Sequence, residues 1–233
     1  MNLPTKLVLI RHAESSRNEA LNGNLFLNDA KLMKIIGSTP DHKISLTKKG
    51  ISQAKQTSEY LYKNIGIPDV VFHSGYVRTK QTTDGILSRY KNHKIEVKEN
   101  LAIRERENGY THVLMESEKE AVFPYLQKYW DVVGGLFARP VGGESLMDII
   151  EKRLQPFLDK IFQEYSGKTV VLVTHGRVIQ YLKFLLDEMS WEEMEKFLAN
   201  KNNTPKNCSL AIYELDKKSN KLKLKVWNKV CWK

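Results

Sequence analysis

The sequence predicts a three-layer α/β/α sandwich with a mostly parallel central sheet and an antiparallel edge hairpin near the C-terminus. Three short apolar runs, Leu7 to Ile10, Asp69 to Phe72 and Val170 to Thr174, are each followed by a helical pattern. Alternation of strand and helix favours parallel strands covered on both faces. Near the C-terminus, Ser209 to Leu215 and Lys221 to Trp227 flank Lys217-Lys218-Ser219-Asn220, a hairpin with a polar turn.

The elements follow in order. Thr47 is placed to cap a helix bearing Ile51, Ala54 and Leu61. The second strand leads into a helix from Tyr76 to about Tyr90. Ser145 can cap another from Leu146 to about Tyr165, which Pro156 should kink or interrupt. After the third strand, Val178, Ile179, Leu182, Leu185, Leu186 and Met189 recur at helical spacing. The segments 22–44 and 109–143 lack periodicity and read as loop insertions over the carboxyl end of the sheet, where substrate choice is usually set. The whole of 1–233 reads as one domain.

A chain of 233 residues with 41% hydrophobic content is ample for a core. No run of eighteen apolar residues suggests a membrane span. Met1 to Lys6 lacks a secretory signal pattern, and Cys208 and Cys231 do not make a disulfide framework, so a cytoplasmic protein is expected. Of the net charge of +10, much lies after residue 200, where nine lysines stand against Glu214 and Asp216. The alternating Lys221, Lys223 and Lys225 read as a guarded edge strand. Nucleic-acid binding is not expected, because arginine clusters and a recognisable motif are absent. Oligomeric state is left open, a homo-oligomer included.

Two of the apolar strands end alike: Arg11-His12 follows the first, and His175-Gly176 closes the third. Open parallel sheets place their chemistry at the carboxyl ends of strands. Arg11 precedes His12, and Asn18 follows within the first turns of a helix; guanidinium, amide and helix N-terminus all suit phosphate oxygens. Arg78 enters a helix just past the second strand, where it can reach back over the sheet edge. In Arg104-Glu105-Arg106-Glu107, one carboxyl could serve as a general acid, and spacing leaves Glu105 and Glu107 equal. Arg11 opposes a metal dication at His12, and HxxxH and CxxC spacings are absent, so neither metal nor cofactor is expected. Lys31, Lys34, Arg139 and Arg177 are candidates for a second anionic group, with solvated charge as the default.

Six ordered blocks resemble the histidine phosphatase superfamily, also called the phosphoglycerate-mutase-like family. They are Arg11-His12-Ala13-Glu14-Ser15 with Asn18, then Leu46-Thr47 with Gly50 and Gln53-Ala54, and Arg78-Thr79 with Gln81-Thr82. Glu105-Arg106 with Gly109, Gly143-Glu144-Ser145 and Thr174-His175-Gly176 complete the set. The resemblance implies that His12 is the nucleophile and forms a phosphohistidine. Arg11, Arg78 and a cationic His175 would grip the phosphoryl oxygens, with Asn18 assisting and Gly176 beside them; Arg177, a departure from the family, either adds a phosphate-binding cation or faces solvent. It aligns Glu105 with the proton donor. The implied activity is that of a metal-independent phosphomonoesterase acting on a small phosphorylated metabolite.

Ala13 replaces the commoner glycine, and Arg177 stands where the mutases typically carry asparagine. The Trp-containing loop that follows the nucleophile in cofactor-dependent mutases is absent, and Gly135 to Ser145 looks more like small phosphatases of the family. These departures favour hydrolysis. The alternatives are a phosphoglycerate mutase primed by bisphosphoglycerate and a non-catalytic phosphate-binding module.

Overall fold

The computed structural model describes residues 3–21, 37–110, 118 and 121–233. The first of the two loop insertions lies largely outside these residues and the second in part; Lys31 and Lys34 are outside too.

The apolar runs form β1 (Lys6–Arg11), β2 (Val70–His73) and β4 (Thr169–Thr174), and the hairpin forms β5 (Leu210–Asp216) and β6 (Lys221–Lys229). A further strand, β3 (Glu96–Glu99), went unread in the sequence. The sheet order is β3-β2-β4-β1-β5-β6. β1 and β2 both run parallel to β4, and β3 runs parallel to β2. β5 is antiparallel to β1 and to β6, which leaves the lysine-bearing β6 at the edge. Three of the four residues of β3 are exposed, so its charged sequence satisfies an edge and gives no apolar signal.

Side chains along each strand alternate between two cores. Leu7, Leu9, Phe72 and Leu172 face one core, formed with the helices α5 (Leu146–Ile149), α6 (Gln155–Glu164) and α7 (Gly176–Leu186). Val8, Ile10, Val71 and Val173 face the other, formed with α2 (Lys48–Asn64) and α3 (Val77–Ile86). Three layers result, as the sequence predicts.

Thr47 caps α2, its side chain accepting from the Gly50 N–H, and Ala54 and Leu61 are buried. Ile51 is 43% exposed, so it is not part of the core face. The helix expected from Tyr76 to Tyr90 is shorter, with a 3-10 turn from Leu87 to Arg89. Ser145 caps α5 with a reciprocal bond to Asp148. The expected interruption takes the form of a π-turn, Ile150–Leu154, after which α6 carries Pro at its start. The wider turn accommodates a ring that would otherwise crowd the carbonyl four residues earlier. The second unpatterned segment also contains an α-helix, α4 (Leu126–Val133). No helix among the described residues is long and apolar enough to cross a membrane.

Candidate active site

Register builds the site. β1 and β4 are neighbours with Arg11 opposite Thr174, so His12 and His175 emerge side by side. The His12 N–H donates to the Thr174 carbonyl at 2.8 Å, and the two imidazole rings lie 5.2 Å apart, edge to face. β2 borders β4 on its other side, which brings Ser74 against His175.

His12 is 3% exposed, and its Nδ1 lies 2.8 Å from the Ala13 carbonyl oxygen. A carbonyl only accepts, so Nδ1 carries the proton and Nε2 keeps a lone pair. Burial holds the imidazole well below its ordinary pKa, with Arg78 and Arg11 adding to the effect. His12 is therefore a neutral base.

His175 is fully buried, and its Nε2 lies 2.8 Å from Ser74 Oγ. Thr79 Oγ1 donates to the Tyr76 carbonyl and sits 2.9 Å from Ser74 Oγ. The Ser74 proton thus goes to Thr79, and Ser74 accepts from His175 Nε2–H. Nδ1 is left facing Arg78 Nη2 at 3.5 Å and Glu105 Oε2 at 3.7 Å. Burial first, then Arg78, His12 and Arg11, hold the pKa of His175 well below its ordinary value, a direction that runs against the expected cation.

Arg78 and Arg11 supply the fixed cations. Arg78, 4% exposed, lies over the Tyr76 ring at 4.7 Å and pairs with Asp41 in the 3-10 turn Asp41–Lys43. Arg11 donates from Nη1 to the Pro205 carbonyl at 2.7 Å. Its buried Nε has no hydrogen-bond partner among the described residues, and burial lowers its pKa to about 10. The guanidinium packs against Gly176, where a Cβ would stand in ordinary van der Waals contact with Arg11 Nε at 3.4 Å. Asn18 belongs to α1 (Ser16–Leu21); its Oδ1 accepts from Ser15 N, Ser15 Oγ and Asn207 Nδ2, which fixes the amide.

Geometry separates the two candidate carboxyls. Glu107 is exposed and accepts from the Gly109 N–H. Glu105 faces His175, and burial raises its pKa against the lowering pull of the Arg106 N–H, Arg78 and Arg11. The loop around it is anchored by Glu144, which accepts from Arg104, Arg153 and the Glu107 N–H.

Arg177 turns to Gln180 at 3.2 Å and lines a separate cleft of about 390 Å³ with Arg106 and Leu136. Arg139 is held by Asp148 through two hydrogen bonds. Among the described residues no group of three or more His, Cys, Asp or Glu could hold a metal ion.

Sequence reading missed Asp41, Ser74, Tyr76, Asn207 and also Arg17, which interacts by charge with Asp41, Arg78 and Glu105. Ser74 had a signal, because it occupies the end of β2 as His12 and His175 occupy the ends of β1 and β4. Asn207 donates to the His12 carbonyl from 195 residues away, a contact without local trace.

Comparison with known proteins accords with this architecture. Along the sequence, 29% identity over 197 residues, 82% of this chain and 84% of the relative, links it to the 2,3-bisphosphoglycerate-dependent phosphoglycerate mutase of Nitrobacter hamburgensis. The phosphoglycerate mutase-like protein AT74 of Arabidopsis thaliana is 29% identical over 231 residues, 91% of this chain and 66% of that protein. Among solved structures, a mycobacterial glucosyl-3-phosphoglycerate phosphatase in complex with inorganic phosphate superposes with a TM-score of 0.72 at 21% identity, covering 97% of this chain and 98% of the other. The putative alpha-ribazole-5'-P phosphatase of Escherichia coli gives 0.72 at 20% identity, covering 97% of each chain. The profile of the histidine phosphatase superfamily (branch 1) matches residues 7–229, and the chain belongs to that family.

Proposed function

We propose that this protein is a phosphomonoesterase that hydrolyses small phosphate esters through a phosphohistidine on His12. The observation that carries the reading is the tautomer of His12: a buried imidazole with Nδ1–H tied to the Ala13 carbonyl presents the lone pair of Nε2. In the first step that pair attacks phosphorus and the ester P–O bond breaks. Glu105, whose pKa burial raises, gives its proton to the departing alkoxide. In the second step Glu105, now a carboxylate, takes a proton from water. The hydroxide attacks phosphorus, the P–N bond breaks, and its electrons return to His12 Nε2. Arg11 and Arg78 stabilise the charge spread over the phosphoryl oxygens, with Asn18 and His175 in support. A metal is not required, because the guanidinium groups supply the positive charge.

A second reading, phosphoglycerate mutase, draws on the names of sequence relatives. The two differ in the acceptor of the phosphoryl group, water or a sugar acid.

The test is a panel of phosphorylated metabolites and p-nitrophenyl phosphate, assayed with EDTA present. Hydrolysis should persist, and His12→Ala should abolish both turnover and labelling by a phosphoryl donor. Label retained in His12→Ala removes the nucleophile assignment. Isomerisation of phosphoglycerate, stimulated by bisphosphoglycerate and without net hydrolysis, establishes the mutase instead.

A further inference from the structure

We propose that Asp41 is a positioning residue for this reaction, acting through Arg78 on the paired side chains His175 and Glu105. The inference rests on the phosphatase reading, which gives Glu105 a proton to deliver. Asp41 stands outside every block that carries the family resemblance.

The geometry is a relay of four side chains. The Asp41 carbonyl accepts from Arg78 Nη1 at 2.6 Å, and its carboxylate accepts from Nη2 at 2.9 Å and from Nη1 at 3.4 Å. One residue therefore engages both terminal nitrogens of a buried guanidinium, and planar two-point pairing restricts its rotation. Nη2 then meets His175 Nδ1 at 3.5 Å, and the same Nδ1 lies 3.7 Å from Glu105 Oε2. Tyr76 closes the arrangement, under Arg78 at 4.7 Å and edge-on to His175 at 5.0 Å.

Charge gives Asp41 its second effect. Glu105 is surrounded by side chains from several elements. Arg11 comes from β1, Arg17 from α1, Arg78 from α3 and Arg153 from the π-turn. The neutral His175 and the hydroxyls of Tyr76 and Tyr181 also face it. Four cations would pull the proton off a carboxyl. Glu144 is bound to Arg153, and Asp41 is the anion set against Arg78 and Arg17; its field works with burial to raise the pKa of Glu105. Removing that charge while keeping the shape should release the Glu105 proton at lower pH.

Asp41→Asn is the test, because asparagine retains the backbone contact and nearly the same volume. Glutamate side-chain carboxyl groups labelled with 13C are titrated by NMR, with Glu105→Gln used to assign the signal. The Glu105 midpoint should fall by about half a pH unit or more in Asp41→Asn. The alkaline limb of kcat/KM for an ester with a poor leaving group should move with it. The limb for p-nitrophenyl phosphate, whose leaving group needs little protonation, should stay. Asp41→Glu should restore part of both shifts. An unchanged or raised midpoint overturns the role of Asp41, whatever the turnover. A lowered midpoint in a protein that hydrolyses no ester overturns the phosphatase reading and leaves the Asp41 coupling standing.

Discussion

His12 and His175 share one environment of burial and arginine charge, and both are held neutral, yet their protons are placed differently. His12 donates from Nδ1 to its neighbour's carbonyl, whereas His175 donates from Nε2 to Ser74. Each tautomer leaves one lone pair, and the proposed reaction uses that of His12 for attack. Glu105 is the third member, and its assignment is the one most exposed to test. If it delivers the proton, Glu105→Gln should lower kcat on an alkyl phosphate by about 10²- to 10⁴-fold. The loss on p-nitrophenyl phosphate should be far smaller, under about tenfold, since nitrophenolate departs unaided. Steady-state rates on both esters decide it, and equal losses would remove Glu105 from the role. At this scale the sequence was legible where strand ends advertise side chains, as with His12, His175 and Arg78. It was silent for Asp41 and Asn207, which reach the site only through long-range contacts.

The block Leu46-Thr47 with Gly50 and Gln53-Ala54 shows how an element supports the candidate site from outside it. Its residues hold the start of α2 against the loop that follows His12. Thr47 caps the helix and donates to Glu14 Oε1, and Gln53 Oε1 accepts from the Glu14 N–H. Gly50 permits the approach, because a Cβ there would lie 2.1 Å from the Glu14 carbonyl oxygen. Losing the cap in Thr47→Ala should cost about 1 kcal/mol and lower Tm by about 2–4 °C, with activity largely kept. Gly50→Ala must displace backbone next to His12, so it should cost both stability and most of kcat. Thermal melts alongside steady-state kinetics separate the two; a Gly50→Ala protein with full activity would show that this loop does not position His12. β3 buries none of its residues, and periodicity had nothing there to register. In α4, Leu126, Tyr129 and Trp130 do recur at helical spacing, a signal short enough to pass unread in a segment punctuated by Gly and Pro.

For the whole molecule, the parallel core strands hold uncharged histidines at their carboxyl ends, and this links stability to pH. His12, His73 and His175 all have pKa values depressed by burial in the folded chain. In the unfolded chain they take up protons near pH 6.5. As pH falls below that value the unfolded state binds more protons than the folded one, so stability must fall. Glu105 works in the opposite sense, because its raised pKa lets the folded state bind a proton first. One carboxyl stands against three imidazoles, so the histidines should dominate between about pH 6.5 and 4.5. The carboxylates with lowered pKa values, Asp148 and Asp216 among them, add their loss only at lower pH. Tm should therefore drop by roughly 5 °C between pH 7.5 and 5.5, before any acid denaturation driven by carboxylates. Calorimetry across this range checks the sign, and His73→Asn, which leaves both site histidines intact, should shrink the drop. A Tm that is flat or rises on acidification would mean that the folded protein protonates these imidazoles, and His12 could not then be the neutral nucleophile that hydrolysis needs.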